Sequence, residues 1–185
     1  FGNCYIMIKK TRAFICGISG HNLKKSEVSF LKKYKPWGII LFSRNIKSIN
    51  QVQKLTGSIK KIFKNSNYPI LIDEEGGRVS RLRKFIDNSI FSAKYFGDLY
   101  SKDRKKFDIY FNVYVKQISY LLRLIGININ TVPVLDLRRK KSHKIIGDRS
   151  YSNDKKTLSK IGDISIEKFH ENRVGTVIKH LPGHG

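Results

Sequence analysis

Short apolar runs alternate with longer amphipathic stretches along this chain. Residues 13–18, 38–42, 68–72, 127–134 and 174–178 are runs rich in Ile, Val, Leu and Phe, the length and composition of buried strands. Between them the apolar period changes to that of a helix. Residues 26–34 place Val28, Leu31 and Tyr34 on one side, and Pro36 ends the pattern. Ser48 and Gln51 have capping-box spacing ahead of Val52, Leu55, Ile59, Ile62 and Phe63. The clearest helix carries Phe107, Tyr110, Phe111, Tyr114, Ile118, Leu121, Leu122 and Ile125 at i, i+3, i+4, i+7 intervals and is closed by Gly126. That aromatic stripe reads as core packing rather than a cofactor box. Asp154 caps a last helix reaching about Asn172, with Leu158, Ile161, Ile164 and Phe169 inward. Residues 73–103 read as loop with at most a short helix inside, and 138–156 as a polar, basic loop.

Strands alternating with helices predict an α/β fold built on a parallel sheet. Two architectures compete, an open doubly wound sheet and a (β/α)8 TIM-type barrel. Gly17-Ile18-Ser19-Gly20-His21 matches the glycine-rich dinucleotide turn too loosely to favour the first. Polar side chains close strand after strand: Arg44, Asp73, Asp136, then Lys179 and His180. In a barrel those positions meet at one mouth. The expectation is therefore a partial TIM barrel of about five βα units over residues 13–185, preceded by an extension over 1–12, since a full circle takes about 250 residues.

Composition changes this picture little. Hydrophobic residues make up 40% of the 185, as in a globular chain. The net charge of +23 fits either a nucleic-acid-binding protein or lysines spread over solvated helix faces. Their dispersal from Lys9 to Lys179 favours the second. Cys4 and Cys16 have neither a disulfide framework nor metal-ligand spacing and are expected to be reduced. No run approaches the ~18 apolar residues of a membrane span. Residues 1–6 lack the features of a signal peptide, and Met7 could be the true start. A soluble, cytoplasmic protein is the expectation.

Three segments carry candidate chemistry. Asp73-Glu74-Glu75-Gly76-Gly77-Arg78-Val79-Ser80-Arg81 puts acids at a strand end before two glycines, which let the backbone turn and approach a ligand. A carboxylate there could accept from neighbouring sugar hydroxyls, with Arg78 and Arg81 as donors or counter-charges. An acidic surface turn paired with arginines is the alternative reading; a divalent-cation site on Asp73, Glu74 and Glu75 is conceivable but disfavoured, because adjacent acids cannot all face one ion. Ile146-Gly147-Asp148-Arg149-Ser150-Tyr151 could form a salt-bridged corner presenting the Arg149 fork to a substrate oxygen, or a solvated turn. Lys179-His180-Leu181-Pro182-Gly183-His184-Gly185 gathers a cation, two imidazoles, two glycines and a proline after the last strand.

Together with Gly38-Ile39-Ile40-Leu41-Phe42-Ser43-Arg44-Asn45 and Pro133-Val134-Leu135-Asp136, these segments resemble the β-N-acetylhexosaminidase branch of glycoside hydrolase family 3, the bacterial peptidoglycan-recycling type. The resemblance runs from about Phe14 to Gly185. It implies a TIM-like barrel that removes terminal, non-reducing β-N-acetylglucosamine from muropeptides with retention; no cofactor and no metal are expected. It places Asp73, Arg81, Arg149, Lys179 and His180 around the sugar, with Asp136 and Asp148 behind them. Leu181, where the family more often has phenylalanine, is a mild departure. Retention requires a nucleophile and an acid/base. By resemblance both lie beyond Gly185, so neither His184, Glu74 nor Glu75 takes those roles and the 185-residue chain is expected to be a fragment that does not turn over. The rival readings are a basic nucleic-acid binder and a non-catalytic sugar-binding remnant.

Overall fold

The computed structural model describes residues 11–138 and 145–184. Cys4, Met7, Gly185 and residues 139–144 of the basic loop lie outside the described residues. Five strands form one sheet: β1 (Arg12–Gly17), β2 (Pro36–Leu41), β3 (Ile70–Ile72), β4 (Ile129–Asn130) and β5 (Gly175–Thr176). All neighbours pair in parallel, in the order β1-β2-β3-β4-β5. A doubly wound sheet reverses direction after its first strands and places β1 centrally. Here the order never reverses, which is the succession of a barrel wall.

Five helices connect the strands: α1 (Lys25–Tyr34), α2 (Ile49–Phe63), α3 (Ala93–Lys102), α4 (Arg104–Leu124) and α5 (Lys155–Glu171). Ser48 caps α2 by accepting from Gln51 N at 3.3 Å, but the Gln51 side chain does not close the expected box. It accepts from Lys47 N and reaches the carbonyls of His21 and Asn45, tying the loops after β1 and β2 together. Asp154 caps α5 through Thr157 N at 2.8 Å. Gly126 sits at φ 81°, the left-handed turn that ends α4.

The helices pack on the sheet face that presents Ile39, Leu41, Ile70 and Ile72, all fully buried. The ladder register lines up Gly17, Ile40, Leu71, Ile129 and Gly175 as the row on the other face. That second face is the inner wall of the barrel. Ile15 is 44% exposed there, and Val177 and Ile178 beyond β5 are likewise exposed.

Three strands, β3, β4 and β5, are shorter than their apolar runs. Residues 127–134 form β4 only over Ile129–Asn130, because Val132 N turns back to Asn130 O at 2.9 Å and Pro133 has no N–H to give. Pairing resumes beyond it, where Leu135 N donates to Lys179 O at 2.7 Å and Val134 bridges Lys179. The short helix inside 73–103 is a full ten residues, α3, capped by Ser92 accepting from Tyr95 N at 3.1 Å. Its Phe96 ring stacks on Phe91, meets Phe111 edge-on and lies tilted against Tyr114. Tyr110 departs from the expected stripe: it is 46% exposed, while Phe107, Phe111, Tyr114, Ile118 and Leu122 are buried. Replacing Ser92 with Ala should lower the unfolding free energy by about 1 kcal/mol, the usual worth of an N-cap, read from the urea midpoint at unchanged m-value.

Candidate active site

Counting by twos from the inner-wall residue Leu71 leads to Asp73 and Glu75, and from Gly175 to Lys179. Strand periodicity thus aims these side chains at one mouth, while Glu74 points the opposite way. Lys179 Nζ lies 2.9 Å from Asp73 Oδ1, 2.6 Å from Glu75 Oε1 and 3.2 Å from Thr131 Oγ1. Thr131 also donates to Asp73 Oδ1. Burial opposes ionisation of Asp73. The Thr131 and Lys179 hydrogen bonds and the Arg81 charge outweigh it, so its carboxyl is held below the ordinary value. Arg81 NH2 stands 3.7 Å from Asp73 Oδ2.

The Gly147–Arg149 turn of 3₁₀ helix delivers Arg149 to the same place. Its fork meets the Glu75 carboxylate in two bonds, Nε at 2.8 Å and NH2 at 3.0 Å. This bidentate pair, first among the causes, raises the Arg149 pKa. The remaining nitrogen, NH1, donates to Ile145 O at 3.2 Å. NH2 also reaches His180 Nε2 at 3.4 Å. On the far side of that ring, Nδ1 lies 2.6 Å from Asp136 Oδ2. Arginine is always a donor, so the network assigns the His180 proton to Nδ1 and leaves Nε2 as acceptor. Asp136 further accepts from His180 N at 3.2 Å and His184 N at 2.7 Å. Burial pushes against its ionisation, but these donors dominate and its carboxyl is also held low.

All five expected sugar ligands, Asp73, Arg81, Arg149, Lys179 and His180, thus belong to one linked cluster. Asp136 supports His180 from behind. Asp148 faces away from the cluster and pairs with Arg78 at 2.6 Å, pinning the turn that carries Arg149. Arg44 lies at the same end but outside this network. Its Nε donates to Ile18 O at 3.0 Å and its guanidinium covers the Phe42 ring. Leu181 is 87% exposed and touches none of these groups' hydrogen bonds. Glu75 and Thr131 escaped the sequence reading as site residues. The alternation of Asp73 and Glu75 was the available signal for the first.

Glu74 is a structural acid. It accepts from Arg81 N at 2.7 Å, Leu82 N at 2.9 Å and Asn88 Nδ2 at 2.6 Å, and it is buried, which raises its pKa despite those donors. It fixes the loop that brings Arg81 back to Asp73. Gly76, at φ 81°, makes the turn between them: a Cβ there would stand 2.3 Å from Phe91 O and 2.5 Å from the Tyr114 hydroxyl. Only glycine fits.

Residues 7–185 match the family described as "Glycosyl hydrolase family 3 N terminal domain". The chain belongs to glycosyl hydrolase family 3. A beta-hexosaminidase of Xanthomonas campestris pv. campestris (strain B100) is 29% identical over 171 residues, 92% of this chain and 50% of that protein. Native NagZ from Neisseria gonorrhoeae superposes with a TM-score of 0.84 at 26% identity, over 95% of this chain and 50% of that one. The same enzyme in complex with N-trifluoroacetyl-D-glucosamine gives 0.80 at 26% identity, over 95% and 51%. The chain therefore spans about half the length of the relatives it matches. The family 3 chain's β-strands correspond to part of the barrel wall, and its acidic, arginine and Lys-His clusters lie together at the strands' carboxyl ends.

Proposed function

We propose that this cluster is the sugar subsite of a retaining β-N-acetylhexosaminidase, which removes terminal non-reducing N-acetylglucosamine from peptidoglycan-derived muropeptides in the cytoplasm. The observation that carries the reading is the convergence of Asp73, Arg149, Lys179 and His180 at one end of a parallel barrel wall. Asp73 Oδ1 is committed to Lys179 and Thr131, while 3.7 Å separates Oδ2 from Arg81, which leaves room for a ring hydroxyl to donate. Arg81 and the second N–H of Arg149 NH1, whose first is held by Ile145 O, donate to hydroxyl or amide oxygens, and Lys179 keeps Asp73 ionised. The complex of the Neisseria enzyme with N-trifluoroacetyl-D-glucosamine supports the sugar class. These residues bind and orient; none is assigned the bond-breaking step, which in a retaining enzyme falls to a nucleophile and an acid/base.

Titration of the protein with N-acetylglucosamine, followed by amide chemical-shift changes, tests the reading. Binding should perturb residues at the ends of β3 and β5, and Asp73→Asn should weaken it about 10- to 100-fold, the worth of hydrogen bonds to a charged acceptor. Unchanged affinity in that variant would exclude Asp73 as a ligand. The pH dependence has a definite sign. Because Asp73 is held below its ordinary value, affinity should stay level from neutrality down to about pH 4 and fall as the pH drops through the depressed pKa. Any stability this carboxylate lends the fold is lost over the same acid interval.

A further inference from the structure

Helix α4 is apolar on two sides. One side buries Phe107, Phe111, Val115 and Ile118 against the core. The opposite side carries Ile109 at 59% exposure, Val113 at 48%, Tyr120 at 59% and Leu124 at 37%. At 3.6 residues per turn these four fall within about 60° of the helix circumference and run about 22 Å along its axis. Single exposed apolar residues are ordinary, but an aligned row of four marks a contact surface. Both flanking helices are in place. Gln53 and Thr56 of α2 donate to the carbonyls of Leu124 and Ile125 at 2.8 and 2.9 Å, and α5 packs along the other flank, where Ile164 and Glu167 share a cleft with Phe107 and Phe111. The row is thus an outward ridge of the barrel's helical layer, whatever completes the sheet.

Charge selects what covers it. Lys105, Lys106, Lys116 and Arg123 occupy the same outer half of the helix as the row. The nearest acids are Asp103 at the helix start, which pairs with Lys106 at 3.4 Å, Asp108, paired with Arg104 at 3.0 Å, and Glu167 in the α5 cleft, so Lys105, Lys116 and Arg123 carry the charge beside the row. A second copy of a chain with net charge +23 would set cations against cations. A bilayer carrying anionic headgroups matches both features. Aliphatic and tyrosine side chains enter the acyl boundary, while lysine stems lie along it and lift their ammonium groups to the phosphates. We propose that the outer face of α4 docks the protein in the plane of an anionic lipid surface.

Flotation with vesicles of phosphatidylcholine, with and without phosphatidylglycerol, at about 0.15 M salt tests this, with the variants chosen to separate the ridge from bulk charge. The protein should float with the mixed vesicles and not with phosphatidylcholine alone. Ile109→Ser combined with Val113→Ser and Tyr120→Ser leaves the charge unchanged and should lower partitioning about tenfold. A matched change of exposed residues on the sheet, Ile15→Ser with Val177→Ser and Ile178→Ser, should leave partitioning unaltered. Lys116→Gln with Arg123→Gln keeps the apolar row and should also weaken binding, which guards against a ridge variant that misfolds. The proposal fails if the ridge variant, folded by circular dichroism, floats like the unaltered protein, or if both vesicle types bind equally. It fails too if sedimentation shows a dimer that the ridge variant dissociates, or if acidic polypeptide rather than lipid binding depends on the row.

Discussion

Glu75→Gln should destabilise the fold by about 3 kcal/mol and abolish measurable sugar binding, the largest effect expected of any single isosteric change in the chain. Three cations, Arg81, Arg149 and Lys179, and two carboxylates, Asp73 and Glu75, meet in one cluster. Glu75 is central: it holds the Arg149 fork in two bonds and takes Lys179 at 2.6 Å, and its side chain is only 5% exposed. Glutamine keeps one acceptor oxygen and turns an amide N–H₂ toward cations. One positive charge is then left without its counter-ion where Arg149 and Lys179 are each only 14% exposed. Breaking one side of such a pair costs far more than the pair contributes, because the surviving charge stays desolvated. The low end of the usual 3–5 kcal/mol range is appropriate because the site is a mouth rather than a sealed interior. Urea unfolding at neutral pH, followed through Trp37, measures the first effect, and the N-acetylglucosamine titration measures the second. A loss under about 1 kcal/mol would place Glu75 among ordinary exposed ion pairs.

Much of this arrangement was legible in the residues alone. Apolar runs of strand length alternating with 3.6-residue periodicity led to the parallel sheet, and polar residues at successive strand ends led to the barrel mouth. Those signals survive because each depends only on spacing along one element. The misses share a different cause. Glu75 looked like one of three adjacent acids until the backbone direction of β3 separated it from Glu74, sending one to the mouth and the other to Asn88 and the backbone of Arg81 and Leu82. Thr131 carries no charge and shows its role only against Lys179, 48 positions away. The Gly147-Asp148-Arg149 turn read as one salt-bridged corner, yet its two charges serve different partners, Asp148 meeting Arg78 and Arg149 meeting Glu75. Tyr110 fits the helical spacing of α4 but lies off the buried arc. Periodicity assigns a face to within a residue or so, and the neighbouring α2 and α5 decide where that face ends.

Asp136→Asn should have the second-largest effect, loosening the whole Lys179–His184 segment. The Asp136 carboxylate is fully buried and accepts three donors: the ring Nδ1–H and backbone N–H of His180 on Oδ2, and the His184 N–H on Oδ1. Asparagine is almost the same size, so packing is conserved and hydrogen bonding alone is tested. Its single carbonyl oxygen can replace one carboxylate oxygen, but its N–H₂ must then face a donor at the other position. If the amide turns toward His184, the segment's far end is released. If it turns toward His180, the imidazole loses the acceptor that fixes its proton on Nδ1, and the ring can present an N–H toward Arg149 where it now presents a lone pair. Either orientation buries a donor without an acceptor, at a cost of about 2 kcal/mol. The decisive reading is spectroscopic as well as thermodynamic. Long-range ¹⁵N–¹H correlations should show His180 protonated on Nδ1 in the unaltered protein and a mixed tautomer in the variant, with faster amide exchange at His180 and His184. An unchanged tautomer with unchanged exchange would mean that the backbone around Pro182, rather than Asp136, holds His180 in place.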